Sequence, residues 1–204
     1  MEKQVDKKHY SLGSYVHPER FASYSYQLRE IEKASPRSVL EIGVGDGVIG
    51  DYMRRNTDIS YTSVDIDPEL KPDVVGSVLE LPFADGSYDV VCAFEVLEHI
   101  PFESFGAAVA EMTRVARSRV FISVPHFGPP LRFLFKMPKF GLKFSWKIPY
   151  HPKHEWNGQH YWEIGKKGYP VKAVREVLEK HGRLVGDYVP FESQYHHFFI
   201  LEKK

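Results

Sequence analysis

Three glycines follow directly on an apolar run in VLEIGVGDGVIG, Val39 to Gly50. Glycine at 43, 45 and 47 lets the chain turn sharply and bring its backbone against a ligand with no Cβ in the way. A turn of this kind, at the carboxyl end of a buried strand, is where open α/β sheets hold cofactors. Asp65 closes the next apolar run, about 20 residues on, where a carboxylate can accept both hydrogen bonds of a ribose diol. Glu41 stands just ahead of the glycines. It would repel a pyrophosphate and suits a ligand with an amino group or another cationic centre. The base candidates are His99, His126, His151, His154 and His160. His126 follows an apolar run in SVPH and is the first choice. His99, in VLEHIP, reads as a structural residue at a helix start, and His151, His154 and His160 as solvated loop residues.

The elements that must position these groups alternate. Pro18 to Ala34 predicts a helix with Pro18 in its first turn and Leu28 and Ile31 facing inward. Strands are expected at Ser38 to Ile42, Ile59 to Asp65, Asp73 to Val78 (the weakest), Tyr88 to Phe94 and Arg119 to Val124. Helices are expected at Gly47 to Arg55, Phe102 to Arg117 and Val171 to His181, the last stopped by Gly182. Leu184 to Phe191 and His196 to Glu202 close the chain as a pair whose short connection makes them antiparallel. Alternation of this kind implies a mostly parallel sheet with helices on both faces. Only DPELKP separates the second and third strands, too few residues for a crossover helix of about 10–12 residues or more, so an irregular loop is expected there. Met1 to Tyr10 is charged and expected to fray.

A chain of 204 residues suits one core. Lys and Arg together number 27, and so do Asp and Glu, so no net field draws in nucleic acid. Cys92 is the only cysteine, which excludes an internal disulfide or a CxxC metal site. No run approaches the roughly 20 apolar residues of a membrane helix, and MEKQVDKKHY lacks the apolar centre of a leader. The expectation is one cytoplasmic domain over residues 1–204; oligomeric state is not legible.

Gly45-x-Gly47-x-x-Gly50 with Asp65 also fits a dinucleotide fingerprint. Glu41, the LPFADGSYDVV segment with FEVLEHIP after it, and the antiparallel closing pair favour another cofactor. In these motifs the chain resembles the class I S-adenosylmethionine-dependent methyltransferases, specifically the methyltransferase type 11 group that includes ubiquinone- and menaquinone-biosynthesis-like enzymes. The resemblance covers roughly Ser38 to Val124 and implies a Rossmann-like, seven-stranded fold with S-adenosylmethionine (SAM) as cofactor. It implies that Glu41, Gly43, Val44 and Gly45 line the methionine part, Asp65 holds the ribose and Ile66 packs on adenine. Phe94 and Glu95 would border the transferred methyl. The family commonly has an acid after the glycine of the third strand. Here Ser77 follows Gly76, so Ser77 or the backbone of Val78 and Leu79 would take that contact.

The SAM sulfonium is already an activated leaving group, so the protein has to align a nucleophile and exclude water. A hydroxyl acceptor would need a base, for which His126, His99 and His160 are the candidates. Glu95-x-x-Glu98-His99 with a later histidine resembles the metal motif of small-RNA 2′-O-methyltransferases. VLEH is nevertheless widespread where no metal is needed, and the reading expects no metal.

Leu131 to Tyr161 mixes Arg132, Lys136, Lys139, Lys143, Lys147 and Lys153 with eight aromatic residues, while five prolines between Pro129 and Pro152 argue against one long helix. It is read as a lid and acceptor-binding insertion. The expected function is methyl transfer to O or N of a small-molecule acceptor. The alternatives are a SAM-binding regulatory protein and, with less support, a nicotinamide-dependent oxidoreductase.

Overall fold

A computed structural model of the chain describes residues 7–204. Seven strands form one sheet: β1 (Ser38–Ile42), β2 (Ser60–Asp65), β3 (Val74–Val75), β4 (Tyr88–Phe94), β5 (Ala116–Pro125), β8 (Arg183–Tyr188) and β9 (His196–Glu202). Their order is β3-β2-β1-β4-β5-β9-β8. β1 to β5 run parallel, and β9 runs antiparallel to both of its neighbours. The chain moves outward from β1 through β2 to β3, then returns to lay β4 on the other side of β1. The carboxyl ends of β1 and β4 therefore flank a switch point, where such sheets open a crevice.

Parity along the strands divides the core. Leu40, Ile42, Val91 and Ala93 face α4 (Phe102–Val115) and α5 (Val171–His181), where Phe105, Met112, Val174 and Leu178 are fully buried. Val39, Val90 and Cys92 face α2 (Pro18–Ala34) and α3 (Val48–Asn56), through Ile31, Ile49 and Met53. Pro18 opens α2, whose N-cap His17 accepts from the Arg20 amide at 3.3 Å, and Leu28 packs against this second cluster. Gly182 ends α5. The DPELKP connection holds a single 3-10 turn, Pro68–Leu70, and β3 shrinks to two residues beside it.

The N-terminal segment departs from expectation. Met1 to Asp6 lie outside the described residues, but Lys7–Tyr10 forms a 3-10 turn followed by the short α1 (Leu12–Tyr15). The insertion also has regular structure. β6 (Pro130–Met137) and β7 (Phe140–Lys147) pair in register as an antiparallel hairpin. Pairs Leu131–Trp146, Phe133–Phe144, Phe135–Leu142 and Met137–Phe140 share one face, and all eight side chains are exposed. Arg132 and Lys143, on the other face, reach back to the Phe191 carbonyl and to Glu192. Among the described residues, no helix is long and apolar enough to cross a membrane.

Candidate functional site

The β1–α3 turn builds one wall of the cleft. Gly43 adopts φ +84°, and a Cβ there would come within 2.3 Å of Val96, so no larger residue fits. The turn is held from below by Asp65. One carboxylate oxygen accepts from the Val44 amide at 2.7 Å and the other from the Asp67 amide at 2.8 Å. A carboxylate offers about four lone-pair sites, so Asp65 can fix the glycine turn and still receive a diol. Burial raises its pKa, opposed by the amides it accepts from.

The cleft is lined by Gly43 and Gly45 from the first turn, Asp65 and Ile66 from the end of β2, Ser77 and Val78 after β3, and Phe94, Glu95 and His99 after β4. Nine of the residues singled out in the sequence thus meet around one opening. Glu41, Val44 and Leu79 do not line it. Glu41 sits one residue back on β1, buried, and accepts from the Tyr61 hydroxyl. Burial pushes its carboxyl up to about 8, against the Tyr61 hydrogen bond. Val44 contributes its amide to Asp65, and Leu79 is partly exposed. Ser77, which stands where the resemblance led an acid to be expected, turns its hydroxyl to accept from the Leu79 amide at 3.2 Å.

Tyr10 and Tyr15 also line the cleft, and sequence reasoning missed both. Their rings meet edge to face at 4.9 Å, and the Arg20 guanidinium lies 4.3 Å from the Tyr15 ring centroid. The aromatic spacing in HYSLGSY was the available signal. Its meaning depends on the chain folding back over the sheet edge, which local pattern does not encode.

Glu95 has φ +57°, a left-handed conformation that costs a residue with a Cβ about 1–3 kcal/mol. It is held there by β5: its amide donates to the Ser123 carbonyl at 2.9 Å, and the Ser123 hydroxyl donates to its carboxylate at 2.7 Å. Burial pushes the Glu95 carboxyl up to about 7, against the Ser123 hydrogen bond and the Arg20 charge.

His126 lies outside this cleft, in a second concavity at the base of the hairpin with Arg132, Lys147 and Tyr195. Its Nδ1 is 2.9 Å from Nδ1 of His197, and the two rings stack. His197 Nε2 is 2.7 Å from an Asp187 oxygen, and Arg175 bonds the other. An ionised carboxylate can only accept, so His197 donates from Nε2 and its Nδ1 accepts. His126 then carries its proton on Nδ1 and a lone pair on Nε2. Although burial works the other way, His197 and Arg175 hold Asp187 down to about 2. Burial, followed by the Lys147 charge, lowers His126 to about 3. The relay was not legible in the sequence.

Of the loop histidines expected to be solvated, His151 is exposed, whereas His154 and His160 are half-buried. His151 Nδ1 lies 2.9 Å from the Gly165 carbonyl and His154 Nε2 2.9 Å from that of His160. His160 is drawn against His99, with ring centroids 5.1 Å apart. Three contacts bring its segment there: Tyr161 amide to the Glu98 carbonyl at 2.9 Å, Gln159 carbonyl to His99 Nδ1 at 3.0 Å, and Trp162 indole to the Ile100 carbonyl at 3.1 Å. Trp162 is fully buried against Phe102 and Phe105. Burial lowers His99 to about 4.

The fold agrees with comparisons to known proteins. Residues 40–124 match the family model described as a methyltransferase domain. That match covers less than half of the 204-residue chain. The chain is similar in fold to an S-adenosylmethionine-dependent methyltransferase from Clostridium acetobutylicum, with a TM-score of 0.61 and 7% identity over 96% of each chain. It is also similar to the 1,6-didemethyltoxoflavin-N1-methyltransferase of Burkholderia thailandensis, solved with its substrate and S-adenosylhomocysteine. There the TM-score is 0.55 and identity 18%, over 93% of this chain and 91% of that one. In sequence, the chain is 30% identical over 106 residues to ajmaline N-methyltransferase of Rauvolfia serpentina. That match takes in 44% of this chain and spans about a third (35%) of the relative's length.

Proposed function

We propose that the protein is a SAM-dependent methyltransferase acting on O or N of a small-molecule acceptor. The observation that carries this reading is the convergence of the glycine turn, Asp65, Phe94 and Glu95 on one cleft at the switch point. Asp65 holds the ribose diol, Ile66 packs on adenine, and the backbone of Ser77 and Val78 meets the adenine edge. Gly43 and Gly45 let the methionine part lie against the chain, and Glu95 faces its ammonium. Glu41 acts from behind the turn. Tyr10 and Tyr15 close the cleft from the N-terminal side and help exclude water, which strengthens every charge interaction inside.

Acceptor binding is assigned to the space between the cleft and the β6–β7 hairpin, with residues 131–161 as lid. His126 is its general base: the Asp187–His197 relay leaves the His126 Nε2 lone pair to take the acceptor proton. Its low basicity suits removal of a proton that is already acidified by methyl transfer.

The test is a screen with methyl-labelled SAM against fractionated small metabolites, followed by mass spectrometry of the labelled product. Label in a small-molecule fraction, lost in Asp65→Ala, supports the reading. SAM binding with no label transferred to any fraction leaves a regulatory SAM-binding protein instead.

A further inference from the structure

Glu98, His99 and His160 each place a donor atom within 4.8 Å of one another, although the third comes from a different part of the chain. Both imidazoles are oriented through the nitrogen that a metal would not use. His99 Nδ1 lies 3.0 Å from the Gln159 carbonyl, which can only accept, so Nδ1 carries the proton and Nε2 the lone pair. His160 Nδ1 lies 3.0 Å from a Glu163 carboxylate oxygen, which fixes the same tautomer. A carbonyl or carboxylate behind each ligating imidazole is the usual outer support of a metal site. Glu98 supplies an independent observation. Its side chain is 1% exposed, and its Oε2 has no hydrogen-bond partner among the described residues. A buried carboxylate oxygen without a partner costs free energy unless something charged meets it.

We propose that Glu98, His99 and His160 bind a divalent transition-metal ion at the end of the cleft, with an open coordination position facing the acceptor. Two imidazoles and one carboxylate suit Zn2+, Mn2+, Fe2+ or Co2+ rather than Mg2+ or Ca2+, which favour all-oxygen sets. Three protein ligands with a position left open is the catalytic form of such a site. His99 lines the cleft beside Glu95, so the open position looks toward the proposed site of methyl transfer. There the ion would bind an acceptor oxygen and lower its pKa, a role that rests on the methyltransferase reading. Glu163 is a positioning residue, acting through His160. The two histidines and the glutamate are structurally ready for this role in a way their sequence spacing did not establish.

The experiment uses the full chain, stripped with chelator, dialysed and titrated with Zn2+ by calorimetry and with Co2+ by visible absorption. The expected result is one equivalent of each ion and a ligand-field band for Co2+ that shifts when acetohydroxamate is added as an oxygen probe. Glu163→Gln should weaken Zn2+ binding about 10- to 100-fold, as loss of outer-shell partners does. His160→Ala and His99→Ala should weaken it further, with folding checked by circular dichroism and thermal melting. Failure to bind either ion overturns the site, as does wild-type affinity in both folded histidine variants. A Co2+ band that ignores acetohydroxamate overturns the open position. SAM calorimetry on the same stripped protein separates the two proposals. SAM binding without metal binding removes the site and leaves the enzyme reading, whereas metal binding without SAM binding does the reverse.

Discussion

Glu41→Gln should make the protein less sensitive to pH, by an amount set by one buried carboxyl. Burial is the main cause of its elevated pKa. Asp46 and Asp65 add to the shift, while Tyr61 and Arg54 oppose it. The folded state therefore keeps a proton on Glu41 that the unfolded chain releases above pH 4.5. A raised acid pKa contributes stability that is fully present below about 4.5 and is lost as pH rises toward about 8. That interval, at 1.36 kcal/mol per unit, corresponds to about 5 kcal/mol, of which about 3 is lost by pH 7. Glutamine keeps the shape and hydrogen bonding of the neutral acid and has nothing to titrate. His126 works in the opposite direction, because its lowered pKa costs stability as pH falls below 6.5. The readout is therefore the difference between variant and parent, in which His126 cancels. Urea unfolding of both proteins between about pH 5 and pH 8, with unchanged m-values, gives it. The variant should gain several kcal/mol on the parent across that range. A difference flat to within about 1 kcal/mol, or one that shrinks with rising pH, refutes the assignment of a buried neutral carboxyl.

Asp65→Ala should weaken SAM binding by at least about tenfold in calorimetry, since hydrogen bonds to a charged group are worth about 1.5–3 kcal/mol each. Unchanged affinity would mean that the carboxylate serves only the Val44 and Asp67 amides. Replacing Arg132 to Ser145 with Asn-Gly shortens the hairpin to its first pairs and keeps Lys147 on the His126 carbonyl. SAM affinity should stay within about twofold while acceptor turnover is lost, because cofactor contacts lie in the core and lids act on the acceptor; turnover at the parent rate would dismiss the lid. Nitrogen NMR should find His126 neutral down to about pH 4, protonated on Nδ1. A midpoint near 6.5 would show that burial and the Lys147 charge do not hold it neutral.

The parts of the fold that were legible in the sequence depend on local pattern. β1, β4 and β9 are continuous apolar runs with clear stops, as strands buried on both faces must be, and their ends were read to the residue. The six-residue DPELKP connection ruled out a helix by length alone. The hairpin was hidden by its prolines. Pro130 opens an exposed strand and Pro138 sits in the turn, two places where proline does no harm. The period-2 alternation from Leu131 to Met137 was present in the sequence, but the lysines and prolines led to an irregular reading. The cleft-lining glycines and Asp65 were legible because they lie near each other in sequence. Tyr10, the Asp187–His197 relay and the approach of His160 to Glu98 were not, because long-range packing alone creates them.

The central claim is tested most directly by calorimetric titration of the full chain with SAM, S-adenosylhomocysteine and NADH. The predicted result is one equivalent of SAM and of S-adenosylhomocysteine bound, with no heat from NADH. Binding of NADH without SAM would contradict it.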